Sequence, residues 1–192
     1  ANDEQNFVKS LADQNKIPFH YVTAKHLKTG QPGLQESARE WRIEESRKLL
    51  ETIGGGRIAT GHHADDQTET LLLKLLRGTH ISNLQGMRWI NTPFIRPLLN
   101  FRKSELQDYL KKNKLTWMED ASNQSAVYLR NRVRIELIPL LEELTRHGLL
   151  SRINDLSEQS QLLRKRLDSD YANWRKNRGN SDNDSSTVLS IA

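Results

Sequence analysis

An α/β fold with parallel strands, followed by a helical C-terminal segment, is the architecture this chain predicts. Segments with helical and strand-like apolar spacing alternate as far as Leu76, and glycines fall where one element should hand over to the next. From Val127 onward only helical spacing remains.

Phe7, Val8, Leu11 and Ala12 mark one face of a first helix, which stops at Ile17-Pro18. Phe19-His20-Tyr21-Val22-Thr23 is aromatic and β-branched, the pattern of a strand. Gly30 to Gly33, with Pro32, is a loop. Ala38, Trp41, Ile43, Leu49 and Leu50, set among charges between Gln35 and Thr52, predict a surface helix that Gly54-Gly55-Gly56 ends. Arg57-Ile58-Ala59-Thr60 is a short strand running into Gly61. A helix follows from Asp65 to Leu76, with Gly78 as its C-cap. Phe94-Ile95-Arg96-Pro97-Leu98-Leu99 is short and apolar, and a helix from Phe101 reaches Lys112. Asp120 to Ser125 reads as a loop of capping side chains. Leu129, Val133, Leu137, Leu140, Leu141 and Leu144 keep helical spacing, with Pro139 placed to kink or break that helix. A long polar helix is expected from Leu149 to Arg175.

Composition narrows the function. The 192 residues are 35% hydrophobic and 28% charged, so apolar side chains must gather on a few faces. No window approaches the ~20 consecutive apolar residues of a membrane span, and the N-terminal residues lack the layout of a signal peptide. A membrane protein is excluded on this reading. Zero cysteines exclude disulfide scaffolds, zinc–thiolate sites, iron–sulfur clusters and thiol nucleophiles. Lys and Arg number 29 against 24 Asp and Glu, a net charge of +5 that permits a nucleic-acid partner without requiring one.

The densest reactive stretch is Gly61-His62-His63-Ala64-Asp65-Asp66-Gln67-Thr68-Glu69-Thr70, where a strand hands over to a helix. Ligands bind at such points because strand ends and a helix N-terminus leave backbone N–H groups facing a crevice. His62, Asp66 and Glu69 have i, i+4, i+7 spacing, and His63 and Asp66 are i, i+3, so each set can share a helix face. The bland reading has Asp65 and Asp66 merely complementing the helix dipole. Two functional readings compete with it. The cluster could bind a divalent metal as phosphohydrolases do, or it could be a nucleotide-end site at which a carboxylate receives an amine. Arg39 and Arg42, i, i+3 on the preceding helix, and Arg96, a guanidinium in an apolar stretch that needs an anionic partner, favour the second.

Ile58 to Thr70, Leu75-Leu76-Arg77-Gly78, Leu84-Gln85-Gly86-Met87, Ile95 to Leu99, Trp117 to Asn123 and Arg130-Asn131-Arg132-Val133-Arg134 stand in one order between about residues 5 and 145. Together they resemble the tRNA(Ile)-lysidine synthetase family of the PP-loop ATP pyrophosphatases. The resemblance implies a parallel-sheet domain of the adenine nucleotide alpha hydrolase-like type. It implies ATP, with Mg²⁺, activating the wobble cytidine of a tRNA(Ile) with a CAU anticodon, and then attack by the L-lysine amine to give lysidine, AMP and pyrophosphate.

On this resemblance His63, Asp66, Glu69, Arg39 and Arg96 are the catalytic set. Gly61, His62, Arg39, Arg42 and Arg96 hold the nucleotide, Asp66 and Glu69 face the lysine from the surface of a cleft, and no metal-ligand set is assigned. His63 and Glu69 are both open as the general base. Arg130, Arg132 and Arg134 are expected at tRNA phosphates, and the basic run continues to Arg178 with Tyr171 and Trp174 interleaved. A solvated helix with aromatic anchors is the competing reading of the part after residue 150.

The family's Ser-Gly-Gly-x-Asp-Ser loop is not found in the sequence, so a partial catalytic domain over residues 1–145 is expected, inactive alone, with a helical extension over 146–178 and a disordered tail over 179–192. A non-catalytic RNA-binding remnant and the metal-dependent phosphohydrolase are the alternatives. Homodimerisation is left open. The compartment is expected to be a bacterial cytoplasm or an organelle.

Overall fold

The structure is a computed structural model that describes residues 2–27, 30, 31, 33–119 and 129–179. In chain order the elements are α1 (Asn2–Gln14), α2 (Leu34–Thr52), β1 (Ile58–Ala59), α3 (Ala64–Leu76), a 3₁₀ turn (Ile81–Asn83), β2 (Ile90–Asn91), β3 (Phe94–Ile95), α4 (Lys103–Lys112), α5 (Leu129–Arg132), a π-helical turn (Val133–Leu137), α6 (Ile138–Leu144) and α7 (Leu149–Gly179). They fall into two units, Ala1–His63 with Arg88–Ser122 and Ala64–Met87 with Asn123–Ala192. The chain crosses between units after His63, Met87 and Ser122. Among the described residues no helix is long and apolar enough to cross a membrane.

The first unit holds a three-stranded sheet in the order β1-β3-β2. β1 runs parallel to β3, pairing Ile58 with Phe94 and Ala59 with Ile95. The hydrogen bonds from Ile58 N–H to the Pro93 carbonyl (3.0 Å) and from Thr60 N–H to the Ile95 carbonyl (2.9 Å) extend that ladder. β2 is antiparallel to β3, so the sheet is mixed rather than wholly parallel. The reason is length. Only Thr92 and Pro93 separate β2 from β3, enough for a hairpin but far short of the dozen or more residues a parallel crossover needs.

The expected strand at Phe19–Thr23 does not form. The segment carries strand-favouring side chains, but no neighbouring strand among the described residues completes its ladder, and Tyr21 and Val22 are each 54% exposed. α2 ends where Gly54, Gly55 and Gly56 take φ of +87°, +106° and +123°, values that side-chain-bearing residues rarely adopt. The capping loop expected at Asp120–Ser125 and the tail after residue 179 lie outside the described residues.

The second unit is helical. Leu71, Leu72 and Leu73 of α3 pack with Val133, Leu149 and Ile153, and Leu137, Ile138 and Leu141 close the cluster. Each fully buried side chain of this kind contributes on the order of 1.5–3 kcal/mol. The kink or break expected at Pro139 takes the form of a π-helical distortion, and the backbone stays helical from Leu129 to Leu144. The helix widens into a π-helical turn over Val133–Leu137 and restarts at Ile138 with Pro139 in its first turn, where a missing N–H costs least. The segment 81–87 is pinned from two helices. The Lys74 ammonium donates to the Asn83 and Gln85 carbonyls (2.8 and 2.6 Å), Ser160 Oγ donates to the Ile81 carbonyl (2.7 Å), and Ser157 Oγ accepts from Gly86 N–H (2.8 Å).

Candidate active site

α3 opens directly after the double histidine, so Asp65 and Asp66 occupy its first turn and Glu69 stands one turn further on. The sequence expects Asp66 and Glu69 at the surface of a cleft. Both are buried instead, Asp66 at 9% and Glu69 at 0% exposed, the latter two positions before the leucines that build the core. A carboxylate there needs cations, and it has two. Arg130 Nε donates to Glu69 Oε2 at 2.7 Å, Arg134 Nε donates to Glu69 Oε1, and Arg134 Nη2 donates to Glu69 Oε2 at 3.1 Å. Asp66 Oδ1 lies 3.4 Å from Arg130 Nη2 and 3.8 Å from Arg134 Nη2. Two carboxylates and two guanidiniums thus form one charge-balanced cluster. The hydrogen bond to Glu69 holds Arg134 still more firmly protonated, against the opposing effect of its burial.

This cluster explains a feature that the chain alone did not reveal. Arg130 and Arg134 are i, i+4 and bracket the core residue Val133, so they sit at the edge of the buried face. Arg132, between them, turns the other way and pairs with Glu136 at 2.8 Å on the exposed side. The three arginines expected together at tRNA phosphates are therefore divided, with two turned toward α3 and one toward solvent. The available signal was a glutamate two positions ahead of Leu71-Leu72-Leu73, which demands a cationic partner elsewhere in the chain.

The first unit carries the other expected residues. Thr60 Oγ1 and His62 Nδ1 are 2.9 Å apart, fixing the histidine at the end of β1. Gly61 has open space where a side chain would project. Arg96 Nη1 donates to the Arg88 carbonyl at 2.7 Å, while its buried Nε has no hydrogen-bond partner among the described residues. Burial and the positive charge of Arg39 both weaken the hold of Arg96 on its proton. A guanidinium with an unsatisfied buried donor and a second positive charge acting on it is an arrangement that an anion would relieve. Among the described residues Arg39 makes a 3.5 Å contact to Glu36, and Arg42 bonds its own helix at the Ala38 carbonyl. Among the described residues no three His, Asp or Glu side chains are arranged to hold a metal ion, so the phosphohydrolase reading finds no donor set there.

A family model of the PP-loop domain matches residues 1–141. This chain belongs to the PP-loop domain family. Its relatives include proteins named tRNA(Ile)-lysidine synthase. The one from Chlorobaculum tepidum is 34% identical over 171 residues, 88% of this chain and 52% of that protein. The Bacteroides thetaiotaomicron protein is 31% identical over 174 residues, 88% of this chain and 41% of its own length. The Treponema denticola protein is 40% identical over 128 residues, 66% of this chain and 27% of its own. The chain thus spans about half, or less, of the relatives it matches. The PP-loop family carries the use of ATP, and the relatives bear the name of an enzyme.

Proposed function

We propose that this chain carries the catalytic region of an ATP-dependent ligase that modifies tRNA. In this proposal the ligase activates the wobble cytidine of a tRNA(Ile) with a CAU anticodon and then joins L-lysine to it, working in a cytoplasm like that of its bacterial relatives. The observation that carries the proposal is the cluster of Asp66 and Glu69 with Arg130 and Arg134 at the start of α3, in a PP-loop chain whose relatives are named for this reaction. ATP supplies the adenylyl group, and Mg²⁺ would arrive on its phosphate oxygens. The residues fit the nucleotide, because Arg39 and the unsatisfied Nε of Arg96 form a cationic pair suited to phosphate, with His62 and Gly61 at the strand end and Arg42 one turn beyond Arg39.

The geometry divides the labour between the carboxylates. Glu69 is saturated by guanidiniums and buried, so it acts through Arg130 and Arg134, fixing them against α3. Asp66 is the less buried of the two, its side chain 12% exposed against 1%, and is the carboxylate that receives the lysine ammonium. To take a proton at either oxygen Glu69 would have to surrender at least one of its three charge-assisted bonds. We therefore assign the general base to His63.

The test is incorporation of labelled lysine into a tRNA(Ile) transcript by a chimera in which residues 1–192 replace the matching segment of the Chlorobaculum tepidum relative. Incorporation that requires ATP and falls at least ~10-fold in Asp66→Asn, a loss of about 1.4 kcal/mol of transition-state stabilisation, is the expected result. A chimera that binds tRNA without incorporating lysine would identify the chain as a binding remnant.

A further inference from the structure

Helix α7 buries only its first half. Leu149, Ile153, Ser157 and Ser160 lie buried on one face, packed within the second unit, whereas every residue from Arg164 to Arg178 is exposed. At 100° per residue, the buried face continues past Ser160 as Arg164, Leu167, Tyr171, Trp174, Arg175 and Arg178. Leu167 is 45% exposed, Tyr171 59% and Trp174 45%. The rings of Tyr171 and Trp174 stack at 5.9 Å and 28°, and the Arg178 guanidinium lies over the Trp174 ring at 4.9 Å. Tyrosine, tryptophan and arginine thus form one continuous stack along two turns of helix.

Charge selects the occupant. Residues 164–178 hold six Arg or Lys (164, 165, 166, 175, 176, 178) against Asp168 and Asp170, a surplus of +4. Both acids are engaged within the helix, Asp168 by Arg164 at 3.1 Å and Asp170 by Arg166 at 3.0 Å. A second copy of the helix would bring the same surplus against itself. Its seam would also fail, since the positions after Leu163 alternate Leu167, Asp170, Trp174 and Asn177. A polyanion with stackable planar groups meets both features. Arginine binds phosphate oxygens through in-plane donors, and an exposed aromatic face takes an unstacked base.

We infer that this face of α7 is an RNA-binding surface that holds the backbone and stacks a base of the tRNA on which the catalytic region acts. The inference rests on the tRNA reading above and adds a place of contact remote in sequence from the reaction cluster. Contact here positions the RNA without reading its sequence, because every base has a face and every nucleotide a phosphate.

The experiment titrates a labelled tRNA(Ile) transcript and a labelled U-rich single strand with the full 192-residue chain at several salt concentrations. Arg175→Gln with Arg178→Gln should flatten the plot of log affinity against log salt by roughly 1.5 for both RNAs, since each lost phosphate contact removes about 0.7–0.9 of slope. Tyr171→Ala with Trp174→Ala should weaken binding about tenfold while leaving the slope unchanged. Arg166→Gln with Lys176→Gln removes the same charge from the opposite face and should have the smaller effect. Circular dichroism checks that each variant keeps its helix.

The surface is disproved if the wild-type chain binds neither RNA at low salt, if the opposite-face variant loses as much as the stack-face variant, or if all variants bind like wild type. It is equally disproved if light scattering finds a dimer that Tyr171→Ala with Trp174→Ala dissociates while RNA binding holds. Lysine incorporation by the chimera is read separately. RNA binding lost as expected, without lysine incorporation, would sustain the surface and sink the ligase reading, and the converse would sink only the surface.

Discussion

Glu69 is the residue at which stability and chemistry meet. A carboxylate with a side chain 1% exposed is retained in an apolar helix only because Arg130 and Arg134 compensate it. Removing its charge by Glu69→Gln leaves two guanidiniums facing a neutral amide. Breaking a fully buried pair costs about 3–5 kcal/mol, but the two arginine side chains are 41% and 36% exposed, so solvent screening brings the expected loss to roughly 1–3 kcal/mol. That corresponds to a fall of several degrees in thermal midpoint, at about 2–4 °C per kcal/mol for a chain of this size. Arg132→Gln, which removes only the exposed pair with Glu136, should stay within ~0.5 kcal/mol of wild type. Thermal denaturation of the two variants side by side checks this, and equal midpoints would show that the buried cluster does not contribute to stability.

At the scale of elements, α3 holds the segment that follows it through the Lys74 ammonium and through one amide. Gln67 donates from Nε2 to the Met87 carbonyl at 2.9 Å and accepts the Met87 N–H at Oε1, so one side chain satisfies both backbone groups of one residue. Gly86 makes room for it. A Cβ at that position would stand 2.5 Å from Gln67 Oε1 and 2.9 Å from its Cδ. Gly86→Ala should therefore displace the amide and cost about 1–2 kcal/mol through its two hydrogen bonds. In a Gln67→Ala background the same substitution should cost almost nothing, so the double variant should be more stable than the sum of the singles predicts. Urea denaturation of the four proteins tests this, and strict additivity would mean that the amide and the glycine are independent.

What could be read in advance follows the same physics. α2, α3 and the distortion ahead of Pro139 were legible because local signals set them: helical spacing, three glycines, a residue without an N–H. The strand expected at Phe19–Thr23 failed because strand formation depends on a neighbour that local pattern cannot supply. The β2–β3 hairpin was missed because each strand is only two residues long. At the site, the carboxylates stood out in one short stretch, whereas their arginines lie more than sixty residues away in sequence and had been read as facing outward.

For the molecule as a whole, the central claim is a two-step reaction with separate groups serving each step. In the proposed reaction Arg96, with Arg39, serves the nucleotide, and Asp66, held beside Arg130 and Arg134, serves the amine. The direct measurement is to follow label from ATP and label from lysine on tRNA(Ile) in the chimera, comparing Arg96→Ala and Asp66→Asn with the unsubstituted protein. Arg96→Ala should leave the tRNA without either label. Asp66→Asn should accumulate adenylated tRNA that lysine converts at least ~10-fold more slowly. Adenylation unaffected in Arg96→Ala, together with full lysine transfer in Asp66→Asn, would contradict the division.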